Sequence, residues 1–185
     1  MQKKYIGLII AISIIVIISL GYITANMFGL IGTKVDMQGN TYSADGVSFD
    51  IPSDWQVYKV SEGSSKNIII AKKISNSTQI LISIAPNPKD LSNQELIDSI
   101  KNPVNEADGN WEKISNSTIS INGNTAYETT FNVTNSSQFK EPIIMKEIDF
   151  IKNGYTYGLS FQAPPNDFNN ELTNFNITLN SFQVK

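Results

Sequence analysis

An apolar run from Tyr5 to Ala25 constrains this chain more than any other feature, because no charged side chain occurs between Lys4 and Lys34. A helix needs about 20 consecutive apolar residues to cross a bilayer core. A cleaved signal peptide has a shorter apolar region, about 7–15 residues, and small residues at its cleavage site. The best cleavage position, after Ala25, puts bulky Ile23 at −3, where a small residue is usual. The run is therefore read as an uncleaved single-pass anchor, with secretion after cleavage as the alternative. Lys3 and Lys4 precede it, so the positive-inside rule keeps the N-terminus cytoplasmic and sends the remainder outside. The first expected partner is the lipid bilayer, through residues 5–25.

Composition bounds the rest. Two of the 14 basic residues, Lys3 and Lys4, lie before the run, so 12 lysines face 17 acids beyond it, a net charge of −5. That balance argues against nucleic acid as a partner. There is no Cys, so the outer part must be stable without disulfides. There is also no His, which removes the commonest general base and transition-metal ligand. With no Arg, bidentate clamps for carboxylate or phosphate are missing too. Cofactors are expected to be none.

Residues 1–25 thus form a cytoplasmic tip and anchor, 26–40 a flexible tether punctuated by Gly29, Gly32 and Gly39, and 41–185 one extracytoplasmic domain. Val47, Phe49 and Ile51 alternate as in a half-buried strand, closed by Pro52. Asn67–Ile74 and Thr78–Ala85 read as a hairpin. Ser92 and Glu95 form a capping box opening a helix whose stripe is Leu96, Ile97, Ile100 and Val104. Trp111–Ile121 and Thr125–Thr134 form a second hairpin across Asn122-Gly123. Ile143–Lys152 and Tyr155–Ala163 form a third across Asn153-Gly154. Tyr155, Tyr157, Leu159 and Phe161 should share its inner face. Pro164 and Pro165 then lead into a last helix capped by Asn166 or Asp167. Phe168, Leu172, Phe175, Leu179 and Phe182 recur there at helical spacing and should all be buried.

Certain residues carry a resemblance. Phe49-Asp-Ile-Pro52 followed by Trp55 resembles the entry strand of PsbP-like domains. Gly154-Tyr155 through Phe161, Ala163-Pro164, the last helix and Ser181-Phe182 resemble their closing hairpin and C-terminal helix. The resemblance covers most of residues 41 to 185. It implies an α+β fold, a central antiparallel sheet with helices on both faces (an α/β/α sandwich), here preceded by one transmembrane helix. Relatives include photosystem accessory proteins, DcrB-like envelope proteins and anchored archaeal proteins of unknown role. The matching residues are core residues, so they imply fold and carry no metal or partner site.

Chemistry is sparse. Asp45, Asp50 and Asp54 are close in sequence, but their spacing does not match an EF-hand loop, and they read as solvated turn acids. No G-x-S-x-G elbow or phosphate-binding glycine loop occurs. Catalytic and metal residues are therefore expected to be none. Glycosylation acceptor motifs stand at Asn76, Asn116, Asn132, Asn135 and Asn176. In so Asn-, Ser- and Thr-rich a chain, chance gives about three or four, so their number decides nothing. The expectation is a non-enzymatic, membrane-anchored cell-surface protein presenting a PsbP-like binding or accessory module. The alternatives are a cell-envelope hydrolase using Ser/Lys or carboxylate chemistry, and a structural envelope component assembling through its anchor. A concave pocket with converging, pKa-shifted acids or lysines would favour the hydrolase.

Overall fold

The computed structural model describes residues 33–37, 39–62, 65–71, 78–87, 91–100, 109–136, 139 and 141–185. The expected membrane segment at 5–25, the first part of the tether and Asn76 lie outside the described residues. No described helix is long and apolar enough to cross a membrane.

Asn-Gly pairs set the sheet's registers. Asn122 and Gly123 have φ of 47° and 78°, and Asn153 and Gly154 have 51° and 75°. Two successive positive φ values make the two-residue hairpin loop whose twist suits flanking strands, and Asn and Gly adopt them at least cost. The first turn joins β7 (Asn110–Ile121) to β8 (Asn124–Thr134), and the second joins β9 (Ile143–Lys152) to β10 (Tyr155–Ala163). With β1 (Thr33–Lys34), β4 (Gln56–Glu62), β5 (Ser65–Ala71) and β6 (Gln79–Pro86), these strands form an eight-stranded sheet in the order β1-β4-β5-β6-β10-β9-β8-β7. A second sheet holds β2 (Thr41–Ala44), β3 (Val47–Asp50) and β11 (Gln183–Val184), in the order β11-β3-β2. Every pairing is antiparallel.

Strand alternation sends one set of side chains to each face of the large sheet. Ile68, Ile82, Leu159 and Ile148 stand in one cross-strand row, with Ile84, Tyr157 and Phe150 in the next. Helix α2 (Pro165–Ser181) lies over them. Phe175 stacks on Phe161 with ring centroids 5.4 Å apart, and Phe182 meets Phe49, Phe150 and Tyr157. Phe168, Phe175 and Phe182 are buried as expected, while Leu172 and Leu179 are only partly buried. Thr178 is fully buried instead. Its hydroxyl donates to the Asp50 carbonyl at 3.0 Å, and Ser181 Oγ accepts from the Asp50 amide at 2.8 Å. Those two bonds stitch the helix to β3.

Three further expectations need correction. Pro164 precedes the first helical residue of α2, and no side-chain cap is made, so neither Asn166 nor Asp167 caps it. Pro165 at the first position lacks an N–H to satisfy and has its φ preset, so the helix starts without one. Tyr155 is 43% exposed because it opens β10 beside the turn, away from the helix. The tether is not loose throughout. Thr33–Lys34 pairs with Tyr58 and Lys59 of β4, Val35 N–H donates to the Val57 carbonyl, and Val35 and Met37 pack on the core. The Val47–Asp50 strand forms as expected and lies in the small sheet, closed by the unforeseen β11 and a bond from Lys185 N–H to the Gly46 carbonyl.

The opposite face carries α1 (Asn93–Ile100). The capping box forms: Glu95 N–H donates to Ser92 Oγ at 3.2 Å, and Ser92 N–H to Glu95 Oε2 at 3.0 Å. Asn93 Oδ1 accepts from the Ile151 amide at 2.6 Å, and Leu96 and Ile97 pack with Tyr127 and Ile151. Val104 lies outside the described residues.

Candidate functional site

Two carboxylates meet on the α1 side of the sheet. Along β9, Ile144, Ile148 and Phe150 join the α2-side core, so Glu147 and Asp149 point the other way. The register builds two rows there. One runs Asn67, Ser83, Gly158, Asp149, Tyr127; the next runs Ile69, Leu81, Ser160, Glu147, Thr129. Small residues of β10 sit beside both acids. With Leu81, Ser83 and Leu159 they line a cavity of about 10 Å³. That is the size at which a single water first fits.

Burial pushes the Glu147 carboxyl up to about 7. Burial and then the Glu147 charge hold Asp149 well above the usual carboxylate range. The causes are desolvation, which disfavours a charged carboxylate, and like-charge repulsion two residues along one strand. Polar neighbours are only partly satisfied. Ser83 Oγ donates to Asn67 Oδ1 at 2.9 Å, whereas Asn67 Nδ2 and Thr129 Oγ1 are buried without a hydrogen-bond partner. Chemically, Glu147 can hold a proton near neutral pH, and the cavity beside the two half-buried acids has room for no more than a water.

Sequence reading missed both acids. A signal existed: apart from Gln162, β10 is apolar or small on both sides, as a central strand must be, so acids facing it from β9 lose much of their contact with water.

The three early aspartates are not brought together. Asp45 sits in the β2–β3 turn at φ 56° and is a hub rather than a solvated turn acid. Lys59 Nζ lies 2.6 Å and Lys66 Nζ 3.6 Å from its carboxylate, and the Tyr42 hydroxyl donates to it. Burial alone would raise Asp45, but the bonds from Lys59 and Tyr42 outweigh it and hold the carboxyl below its usual value. Burial, then the bond to Asp45, pushes the Tyr42 phenol up. Asp50 instead accepts from Thr41 Oγ1 at 2.7 Å, and Asp54 occupies a separate turn at φ 66°. Among the described residues no group of three or more acids, His or Cys is placed to hold a metal. Of the acceptor asparagines, Asn116, Asn135 and Asn176 are exposed and Asn132 is half-buried.

An antiparallel sheet with a helix on each face and a small second sheet closing one side defines a PsbP-like α+β domain. The PsbP family model matches residues 37–184, so the chain belongs to the PsbP family. The fold is similar to the solution structure of cyanobacterial PsbP (CyanoP) from Synechocystis sp. PCC 6803, with TM-score 0.56 and 14% identity over 82% of this chain and 95% of that one. It is also similar to LpqN of Mycobacterium tuberculosis, described as involved in cell envelope biogenesis (TM-score 0.53, 13% identity, 83% of this chain, 90% of that one). The Saccharomyces cerevisiae Ran-binding protein Mog1p matches at TM-score 0.51 and 8% identity, over 80% of this chain and 96% of that one. At such identities the likeness is one of fold. A search of curated proteins by sequence found no match.

Proposed function

We propose that this chain is a non-enzymatic binding or accessory module, anchored in the cell membrane through residues 5–25 and presenting its PsbP-like domain on the outer side. The observation that carries the non-enzymatic part is the size of the cavity at Glu147 and Asp149, about 10 Å³. Their raised pKa values are what a hydrolase would use, but catalysis requires substrate atoms within about 3 Å of the acid, and a cavity of about 10 Å³ beside these half-buried groups holds no more than a water. Membership of the PsbP family supports the reading without naming a ligand. The anchor rests on the uncharged run between Lys4 and Lys34, and the outward orientation on Lys3 and Lys4.

One experiment tests both halves. The full chain is expressed in cells, protease is added outside, and intact membranes are crosslinked for affinity capture and mass spectrometry. The domain should be shaved by external protease, and a defined partner should be recovered with it. A domain that stays protected in cells whose outer layer admits the protease would overturn the topology. Turnover of an ester or glycoside that disappears in Glu147→Gln would overturn the non-enzymatic reading.

A further inference from the structure

The eight-stranded sheet ends very differently on its two sides. One side ends in β1, two residues long; the other ends in β7, twelve residues long, with no described strand beyond it. Natural proteins defend such edges with charges, prolines or bulges, because unpaired N–H and C=O groups recruit another strand. In β7 these devices crowd into the first part. Glu112 and Lys113 carry its charges, and the register shifts between Lys113 and Ser115, leaving Ile114 54% exposed. From Ser115 to Ile121 the pairing with β8 is regular, and the stretch holds no charge and no Pro.

We infer that Ser115–Ile121 is a self-association edge, pairing antiparallel with the same stretch of a second copy about a two-fold axis through Thr118. The two-residue turn sets which groups are free. Ile121 and Asn124 flank it as a hydrogen-bonded pair, and pairs alternate from there. Asn116, Thr118 and Ser120 therefore point their backbone N–H and C=O outward. Centring the axis on Thr118 pairs Thr118 with its counterpart and Asn116 with Ser120, so all three outward residues are used in each copy. About six hydrogen bonds result. No like charges meet, because the paired stretch has none.

The side chains favour a second copy over a foreign peptide. Strand addition gains specificity from pockets that receive alternate side chains. Asn116, Ser117, Thr118 and Ser120 are exposed, small and polar, and offer no such pocket. A two-fold contact also closes both edges at once. The inference goes beyond the anchored-module reading and does not need it, although copies held in one membrane would meet at higher effective concentration.

The absence of cysteine permits a direct test. The full chain is produced in a host without N-glycosylation, placed in vesicles and oxidised mildly. In Thr118→Cys the two new thiols lie on residues about 5.5 Å apart, within the disulfide range of about 4.4–6.8 Å. In Ser120→Cys they lie more than about 12 Å apart, at about 3.4 Å per residue along the strand. Thr118→Cys should give at least roughly tenfold more disulfide dimer than Ser120→Cys. Thr118→Lys, which sets two lysines face to face, should leave the folded circular dichroism spectrum unchanged and abolish the dimer in amine crosslinking. Equal crosslinking of the two cysteine variants would overturn the inference. So would a monomeric wild type in the same vesicles, or a dimer that survives Thr118→Lys and so forms elsewhere, for instance through the anchor.

Discussion

The two faces of the eight-stranded sheet are built on different rules. The α2 face is one continuous apolar cluster from Tyr42 and Phe49 through Ile68, Ile82, Leu159 and Phe161 to Phe175 and Phe182. Among the described residues, the α1 face is divided into three small clusters: Ile69, Ala71 and Leu81; Leu96, Ile97 and Tyr127; and Phe131, Val133, Ile143 and Met145. Between them lie Asn67, Ser83, Ser160, Thr129, Glu147 and Asp149. One sheet can therefore concentrate its stabilising burial on one side and keep titratable groups on the other. The difference predicts unequal responses to substitution.

The largest effect should come from the α2 face. Phe175→Ala removes a fully buried ring stacked on Phe161 and should cost about 3–5 kcal/mol, the lost transfer energy plus the cavity left behind. Small domains have about 5–15 kcal/mol in all, so thermal unfolding should shift by many degrees. Asn176→Ala, exposed on the same helix, should stay within about 0.5 kcal/mol. Equal shifts for the two would mean that α2 is not docked through this stripe.

On the α1 face, Leu96→Ala should cost about 2 kcal/mol, the low end for buried leucines, because a short helix over a divided surface can relax into the gap. A loss as large as that of Phe175→Ala would erase the contrast between the faces.

The acids make the contrast depend on pH. Glu147 has an ordinary value of 4.5 and a folded value of about 7. Between those values the folded chain holds a proton that the unfolded chain has released, so stability falls as pH rises through that window. Urea midpoints should decline from pH 4.5 to 7, and Glu147→Gln should reduce the decline to the part that Asp149 contributes. A wild-type midpoint constant across the window would show that burial does not perturb this pair.

The smallest effect belongs to the clasp on the α2 side, where Asp45 of the small sheet meets Lys59 and Lys66 of the large one. Asp45→Asn should cost about 1 kcal/mol or less, and salt should reduce it further. Its own pH dependence has the opposite sign. A carboxyl held below its ordinary 3.8 contributes stability that is lost as pH falls through the folded value. A loss above about 2 kcal/mol would make the contact a buried pair rather than a surface clasp.

The same division explains what could be read from sequence. Asn-Gly turns, the Ser92–Glu95 box and the phenylalanines of α2 are local or periodic signals, and each appears where expected. The pairing of β11 with β3 and the docking of Val35 and Met37 are long-range choices that leave no periodic trace in two- or three-residue stretches. Thr178 gives no core signal in the sequence, because its β-branched hydroxyl reads as surface until the Asp50 carbonyl is placed beside it. Glu147 and Asp149 alternate with Ile148 and Phe150 as a half-exposed strand would, and only the place of β9 between β8 and β10 half-buries them.

Chain order adds a consequence for biosynthesis. Helix α2 and β11 follow every strand of the large sheet, so a ribosome completes the platform before it releases the cover. Until Phe168, Phe175 and Phe182 have emerged, Phe150, Tyr157, Phe161 and the isoleucines around them have no lid. Such uncovered apolar surface is what makes partly made chains aggregate. The nascent protein is therefore most dependent on chaperones in the interval between completion of β10 and emergence of α2.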